Sequence, residues 1–319
     1  MHYRRLGETG IKVSELGLGS WVTFGDQVDE KLAKQLIHAA FDQGINFFDN
    51  ADVYAEGQSE ILMGKAIKDI PREELVISSK VFFPSMKGIN GRGLSRKHLI
   101  ESSHASLKRL GLEYLDIYFC HRFDPDTSVE EVVQSMDILI RQGKILYWGT
   151  SEWEPYQVTQ AILFARQANL IGPVVEQPRY NMFMRERVEA DLAPICKEFN
   201  IGLTTFSPLF YGILTGKYND GIPQGSRLTL PDMARFKDRM TPEVLAKVRL
   251  LTPIAQELGL TTGQLALAWL LRRKEVSSVI TGASRVEQLD ENLLAANGVE
   301  KMTNDVQEKI EKVLANAPV

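Results

Sequence analysis

Short apolar runs alternate with polar turns and helical periods from one end of the chain to the other. Eight runs read as strands: 13–21, 45–51, 75–81, 114–121, 145–151, 174–178, 201–209 and 276–284. Most are near-continuous in apolar residues, as parallel strands buried on both faces must be. Helical periods lie between them. Leu32, Leu36, Ile37, Ala40 and Phe41 recur at helical spacing, and Gly44 supplies a left-handed stop. Ser95 opens another helix, with Leu99, Ser103, Leu107 and Leu110 on one face and Gly111 behind it. Ser128 with Glu131, and Thr261 with Gln264, have the spacing of capping boxes.

Eight strand–helix units without a break predict a closed (β/α)8 TIM barrel, one domain over 1–319. The rival is an open doubly wound sheet with a dinucleotide fingerprint in its first turn. Here Gly17-Leu18-Gly19 begins one, but valine stands at position 22, so the fingerprint fails. The opening segment YRRLGETGIKVS reads as a β-hairpin at the barrel floor. Two segments, 83–94 and 212–240, are too long for plain connectors. Both follow strands, which places them as long loops on the catalytic face of a barrel.

Composition narrows the function classes. Of 319 residues, 44% are hydrophobic and 24% charged, which suits a globular chain with a sizeable core. The net charge of −4 gives no electrostatic case for nucleic acid or an anionic membrane. No run of about 18 apolar residues exists to insert in a membrane, and the N-terminus lacks a signal-peptide core, so the cytoplasm is the expected compartment. The two cysteines, Cys120 and Cys196, sit in apolar stretches and read as buried thiols.

Barrel enzymes carry their chemistry at the C-terminal ends of the strands. Those ends offer Ser20 and Trp21, Asp49 with Tyr54 just beyond, Lys80, His121, Ser151, Gln177, Ser207, and Gly282 with Ser284. Four of these can move protons: Asp49, Tyr54, Lys80 and His121. Singly, each has a plain structural reading as a turn former, a half-buried aromatic, a strand cap or a core histidine. Together, at three successive strand ends, they describe a proton donor. A tyrosine is a weak acid with a pKa of about 10, and an adjacent ammonium is expected to lower it. A carboxylate would hold that ammonium in place, and a histidine would bond the same carbonyl oxygen.

A metal site is the competing reading. Of five histidines only His121 lies at a strand end, and His98 and His104 are six apart on one predicted helix, off a shared face. After the last strand, Ser284 and Glu287 have capping-box spacing, so a helix should start near Arg285 and offer an anion site. Arg285 there, and Arg227 in the long seventh loop, are candidates to pair with phosphate.

These residues resemble the aldo-keto reductase family. GLGSWVTFG, FFDNADVYAEGQSE, SSKV, GTSEW, EQPRYNMF, SPL and GASRVEQLDEN fall in the family's order over nearly the whole chain. GKYNDGIPQGSR and GASRVEQLDEN are most similar to the branch that contains the β-subunits of voltage-gated potassium channels. The resemblance implies NADPH as cofactor, bound without a Rossmann domain, and a small aldehyde or ketone as substrate. It implies Tyr54 as general acid, Lys80 as modulator of its pKa, Asp49 as the lysine's partner and His121 as the residue orienting the carbonyl. Ser151 and Gln177 would hold the nicotinamide carboxamide. Phe206, Ser207, Pro208, Leu209, Tyr211, Lys217 and Arg227 would line the cofactor. Gly282, Ser284, Gln288, Glu291 and Asn292 would hold its adenosine end, and Ser20, Trp21 and Gln27 would complete the site.

The branch also suggests a homo-tetramer and a redox-sensing auxiliary role. This chain departs from it. The channel subunits carry asparagine at the position of His121, tryptophan at Phe206 and arginine at Glu152. They lack a basic residue at Arg285, which here should favour a 2′-phosphate. Trp21, Tyr54, Phe82, Phe83, Trp153, Phe210 and Tyr211 are expected to shape the substrate pocket.

Overall fold

The computed structural model describes residues 1–21 and 28–318. β1 (Tyr3–Arg5) and β2 (Lys12–Ser14) pair antiparallel as the expected hairpin. The eight expected strands follow: β3 (Leu16–Gly19), β4 (Phe47–Asp49), β5 (Val76–Val81), β6 (Leu115–Cys120), β7 (Ile145–Ser151), β8 (Val175–Gln177), β9 (Gly202–Thr205) and β10 (Val276–Thr281). All eight are parallel and close into a barrel in sequence order, with β10 sealed onto β3. Helical segments lie between successive strands, so the architecture is a (β/α)8 barrel.

Alternation along each strand sorts the side chains into two sets. Phe47, Val76, Ile117, Phe119, Val175 and Ile280 pack together inside the barrel. Leu6 and Val13 from the hairpin segment join this cluster, both fully buried, so the hairpin plugs the floor. The intervening residues Phe48, Ile77, Val81, Tyr118 and Cys120 face the helices in the larger cluster. Arg4 fastens the plug from outside. It donates to the carbonyls of Leu271, Arg273 and Val276 at 2.7, 3.1 and 2.9 Å and pairs with Glu15 at 3.1 Å.

Helix starts follow the capping residues. Asp29 and Ser95 accept from the backbone of Leu32 and His98, opening Glu30–Asp42 and Arg96–Leu110, and Gly111 ends the latter at φ 67°. Thr261 and Gln264 form both arms of their box, at 3.2 and 3.0 Å. The Ser128 box is half made. Ser128 accepts from Glu131 N at 3.2 Å, but the Glu131 carboxylate goes to Arg96 N at 2.8 Å on the neighbouring helix.

Both long loops lie on the face of the strand C-termini. Segment 83–94 is pinned where Gly93 N donates to Phe82 O and Leu94 N to Asp124, both at 2.7 Å. Gly93 has φ +84°, and a Cβ there would stand 2.6 Å from the Asp124 carboxylate, so glycine alone lets the loop close. Segment 212–240 is mostly built of 3-10 turns, Phe210–Thr215, Arg227–Thr229 and Pro231–Arg239. Among the described residues no helix is long and apolar enough to cross a membrane.

Candidate active site

The same alternation that fills the barrel floor with apolar groups places polar groups at its top. On β5 the inward series runs Val76, Ser78, Lys80; on β4 it runs Phe47, Asp49. The Lys80 ammonium is fully buried and makes three bonds: 2.5 Å to Asp49 Oδ2, 2.6 Å to the Asn50 carbonyl and 3.2 Å to the Tyr54 hydroxyl. The other Asp49 oxygen accepts from Ser78 at 2.8 Å and from the Gln177 amide at 3.1 Å. Ser20 closes the ring by donating its hydroxyl to the Asp49 carbonyl at 3.1 Å. Burial opposes the Lys80 charge, but Asp49 and then Tyr54 outweigh it and hold its pKa above the ordinary lysine value.

Tyr54 opens a short turn, Tyr54–Gly57, that bends back through two left-handed residues, Ala55 (φ 46°) and Glu56 (φ 53°). Non-glycine residues avoid that region, at a cost of order 1–3 kcal/mol each, and such strain gathers at functional sites. Burial pushes the phenol's pKa up, and the opposing pull of Lys80 does not cancel it. The lowering expected from an adjacent ammonium is therefore not the net effect, because the phenol is desolvated and Asp49 already neutralises much of the lysine. Tyr54 rests as a protonated donor.

His121 continues the inward series of β6 and is buried, 7% exposed. Its ring meets Tyr54 edge-on at 5.8 Å and Phe83 at 5.0 Å between centroids. Burial first, then Lys80 and Arg122, drive its pKa well below the usual histidine range. The ring is neutral at physiological pH, with Nδ1 buried and unpartnered.

Beside this set, over the ends of β9 and β10, lies a cavity of about 570 Å³. Its walls include Ser207, Pro208, Leu209 and Tyr211 on one side and Gly282, Ser284, Gln288, Glu291 and Asn292 on the other. Lys217, Arg227 and Arg285 converge on it. Burial, then the charges of Arg227 and Arg285, push the Lys217 pKa down, and burial does the same to Arg227. The Arg227 Nε and the Ser226 hydroxyl are buried without a partner, and Arg227 lies over the Trp21 ring at 5.1 Å. Cations crowded together with unmet donors fit an anionic ligand.

Ser151 donates to the Gln177 carbonyl at 2.9 Å, which joins β7 to β8 beside Asp49. Phe206 follows β9 under the Arg179 guanidinium, 5.3 Å from its ring centroid. From Ser207 to Tyr211 the chain turns through three left-handed residues, Ser207, Phe210 and Tyr211.

Some expectations change. Ser284 and Glu287 do not form a box. The helix Val286–Leu293 does start after Arg285, but Ser284 donates its amide and hydroxyl to Gln288 Oε1, at 2.9 and 3.1 Å. The longer Gln288 side chain reaches back to the serine, so the serine hydroxyl acts as donor rather than cap. Trp153 is 0% exposed and packed on Phe123 at 5.0 Å, and Phe210 is buried against Phe183. Tyr211 stacks on Phe236 at 4.0 Å and faces the other cavity. Gln27 lies outside the described residues. The sequence reading missed Ser78 and the Asn50 carbonyl. Ser78 was discoverable, being two residues before Lys80 on the same face; a carbonyl leaves no sequence signal. Among the described residues no three His, Cys, Asp or Glu side chains gather to hold a metal, and His98 is buried while His104 is exposed.

The Aldo/keto reductase family matches residues 15–315, and the chain belongs to that family of oxidoreductases. Its relatives are more particular. It is 48% identical to a probable voltage-gated potassium channel subunit beta of Arabidopsis thaliana over 322 residues, covering 100% of this chain and 98% of that protein. It is 47% identical to a probable subunit of the same name from Oryza sativa subsp. japonica, with the same coverage. It is 46% identical to a putative voltage-gated potassium channel subunit beta of Schizosaccharomyces pombe, covering 99% of this chain and 94% of that protein.

Proposed function

We propose that the protein reduces small aldehydes or ketones to alcohols, with NADPH as cofactor and Tyr54 as general acid. The observation that carries this reading is the buried relay in which Lys80 bonds Asp49 at 2.5 Å and Tyr54 at 3.2 Å, beside a neutral His121. The cofactor, when bound, supplies a hydride for the carbonyl carbon. As the C=O π bond breaks, the Tyr54 Oη proton passes to the oxygen. Lys80 stabilises the phenolate left behind, so its charge acts where negative charge develops. Asp49, fixed by Ser78 and Gln177, keeps the ammonium aimed. Neutral His121 hydrogen-bonds the same carbonyl oxygen without competing as an acid. Half-buried Tyr54 recovers its proton from water.

The residues around the cavity suit the cofactor. Ser151 and Gln177 would hold the carboxamide, Phe206 to Leu209 and Tyr211 the central portion, and Lys217 and Arg227 the phosphates. Gly282, Ser284, Gln288, Glu291 and Asn292 would hold the adenosine, and Arg285 would take the 2′-phosphate that separates NADPH from NADH. Ser20, Trp21 and Gln27 would border the reacting end.

The relatives' names favour a second reading: an NADPH-binding, redox-sensing auxiliary subunit that turns over slowly. Single-turnover mixing separates the two. NADPH-loaded protein mixed with 4-nitrobenzaldehyde should lose its NADPH fluorescence, and Tyr54→Phe should slow that loss roughly 10²–10⁴-fold while still binding NADPH. Undiminished oxidation in Tyr54→Phe would sink the mechanism. Bound NADPH that never oxidises in the wild type would select the auxiliary role.

A further inference from the structure

We infer that the preferred substrates carry an anionic group, carboxylate or phosphate, which Arg122 engages with Arg179 behind it; this rests on the reductase reading above. Arg122 directly follows His121 at the end of β6. Its guanidinium lies 5.6 Å from the centroid of the Phe83 ring. Phe83 meets His121 edge-on at 5.0 Å, and His121 meets Tyr54 at 5.8 Å. The cation thus stands one aromatic ring away from the two groups that would face the carbonyl oxygen.

Arg122 is half-buried, and among the described residues its one side-chain hydrogen bond goes to the backbone carbonyl of His121. A guanidinium has five donors in a planar fork that matches carboxylate and phosphate. The nearby acid is already engaged. Glu152, held in the left-handed region at φ 56°, accepts from the Arg179 amide at 2.7 Å and pairs with Arg187 at 3.6 Å. Arg179 adds a second cation on this side, over Phe206, and its Nε is buried with no partner. Burial weakens the hold of Arg122 on its proton; Glu152 and Tyr54 oppose this, and Arg179 adds a smaller repulsion. Glu152 offsets part of this charge but bonds the Arg179 amide and Arg187, so the two guanidinium groups keep donors for an added anion. These cations are separate from the Lys217, Arg227 and Arg285 group, which lies over β9 and β10.

Matched substrates test this. With NADPH, kcat/KM is measured for 4-carboxybenzaldehyde against its methyl ester, and for glyceraldehyde 3-phosphate against glyceraldehyde. At least one anion should exceed its neutral partner more than tenfold, through KM, and the gap should shrink with added salt. The pair with the larger gap identifies carboxylate or phosphate. Arg122→Met should reduce the anion-to-neutral ratio roughly 10- to 100-fold, and Arg122→Lys should restore part of it. Ratios near one, or ratios unchanged in Arg122→Met, overturn the inference while neutral turnover leaves the reductase reading standing. If no aldehyde is turned over, the reductase reading falls first. Calorimetric binding of the same compounds to NADP⁺-loaded protein then decides: an anion preference lost in Arg122→Met supports the site, and no preference overturns it.

Discussion

Two parts of the barrel rim handle positive charge in opposite ways. At β4 and β5 the Lys80 charge is fully buried and met by a carboxylate, a carbonyl and a phenol. At β9 and β10, Lys217, Arg227 and Arg285 crowd one cavity, and burial with mutual repulsion weakens the proton affinity of Lys217. The first arrangement is complete within the chain. In the second, Glu291 is the one carboxylate among the lining residues and offsets the three cations only in part. On the proposed function, chemistry that needs fixed geometry would sit where the protein closes its own bonds, and cofactor binding where it leaves donors open.

Lys80→Met is the strongest way to break this contrast. It leaves Asp49 buried without its cation, and the cost is about 3–5 kcal/mol of stability, read from urea unfolding. Adding Asp49→Asn to Lys80→Met should return much of that loss, since no uncompensated charge remains. Carbonyl reduction should stay abolished in both.

Glu176, between the two regions on β8, sharpens the contrast through pH. It is fully buried, and burial raises its pKa to about 7, against the opposing pull of a Thr150 bond and of Arg187 at 4.0 Å. The folded protein therefore holds a proton that the unfolded chain releases near 4.5. Below that pH the group has no effect. Between there and about 7 stability falls as pH rises, and above 7 the whole cost is present. Glu176→Gln should remove that decline, gaining on the order of 2 kcal/mol at pH 8 relative to pH 5. A decline that persists in the variant would place its origin elsewhere.

The smallest effects belong to the open cavity. Arg227→Met should leave stability without ligand unchanged or slightly raised, and should weaken NADPH binding roughly tenfold. Arg285→Ala should lower the preference for NADPH over NADH by about the same factor, measured as a ratio of dissociation constants. A loss of stability in Arg227→Met matching that of Lys80→Met would erase the distinction between the two regions.

Much of this was legible in the chain. Parallel strands must be apolar on both faces, so 75–81 and 114–121 stood out, and β5 and β6 lie within them. Strand ends then located Asp49, Lys80 and His121. What stayed hidden depends on neighbours distant in sequence. The direction of the Tyr54 shift follows from how deeply the phenol is desolvated. Gln288 displaced Glu287 as the partner of Ser284 because reach, not spacing, decided the pairing. The left-handed backbone at Ser207, Phe210 and Tyr211 uses residues that give no glycine signal. Arg122 carries no signal in the sequence and stands out only with Phe83 and His121 beside it.

The Arg4 clasp has a consequence for how the molecule is made. Arg4 bonds Val276 across 272 residues of chain. The ribosome makes the hairpin 272 residues ahead of its docking carbonyl at Val276. Until Val276 emerges, the plug has no rim to grip and β3 has no partner in β10. The hairpin therefore waits while those 272 residues are added, and closure is dominated by long-range contacts. A chain stalled before the last strand presents an open sheet edge and an unfastened floor, a form that chaperones and proteases would recognise.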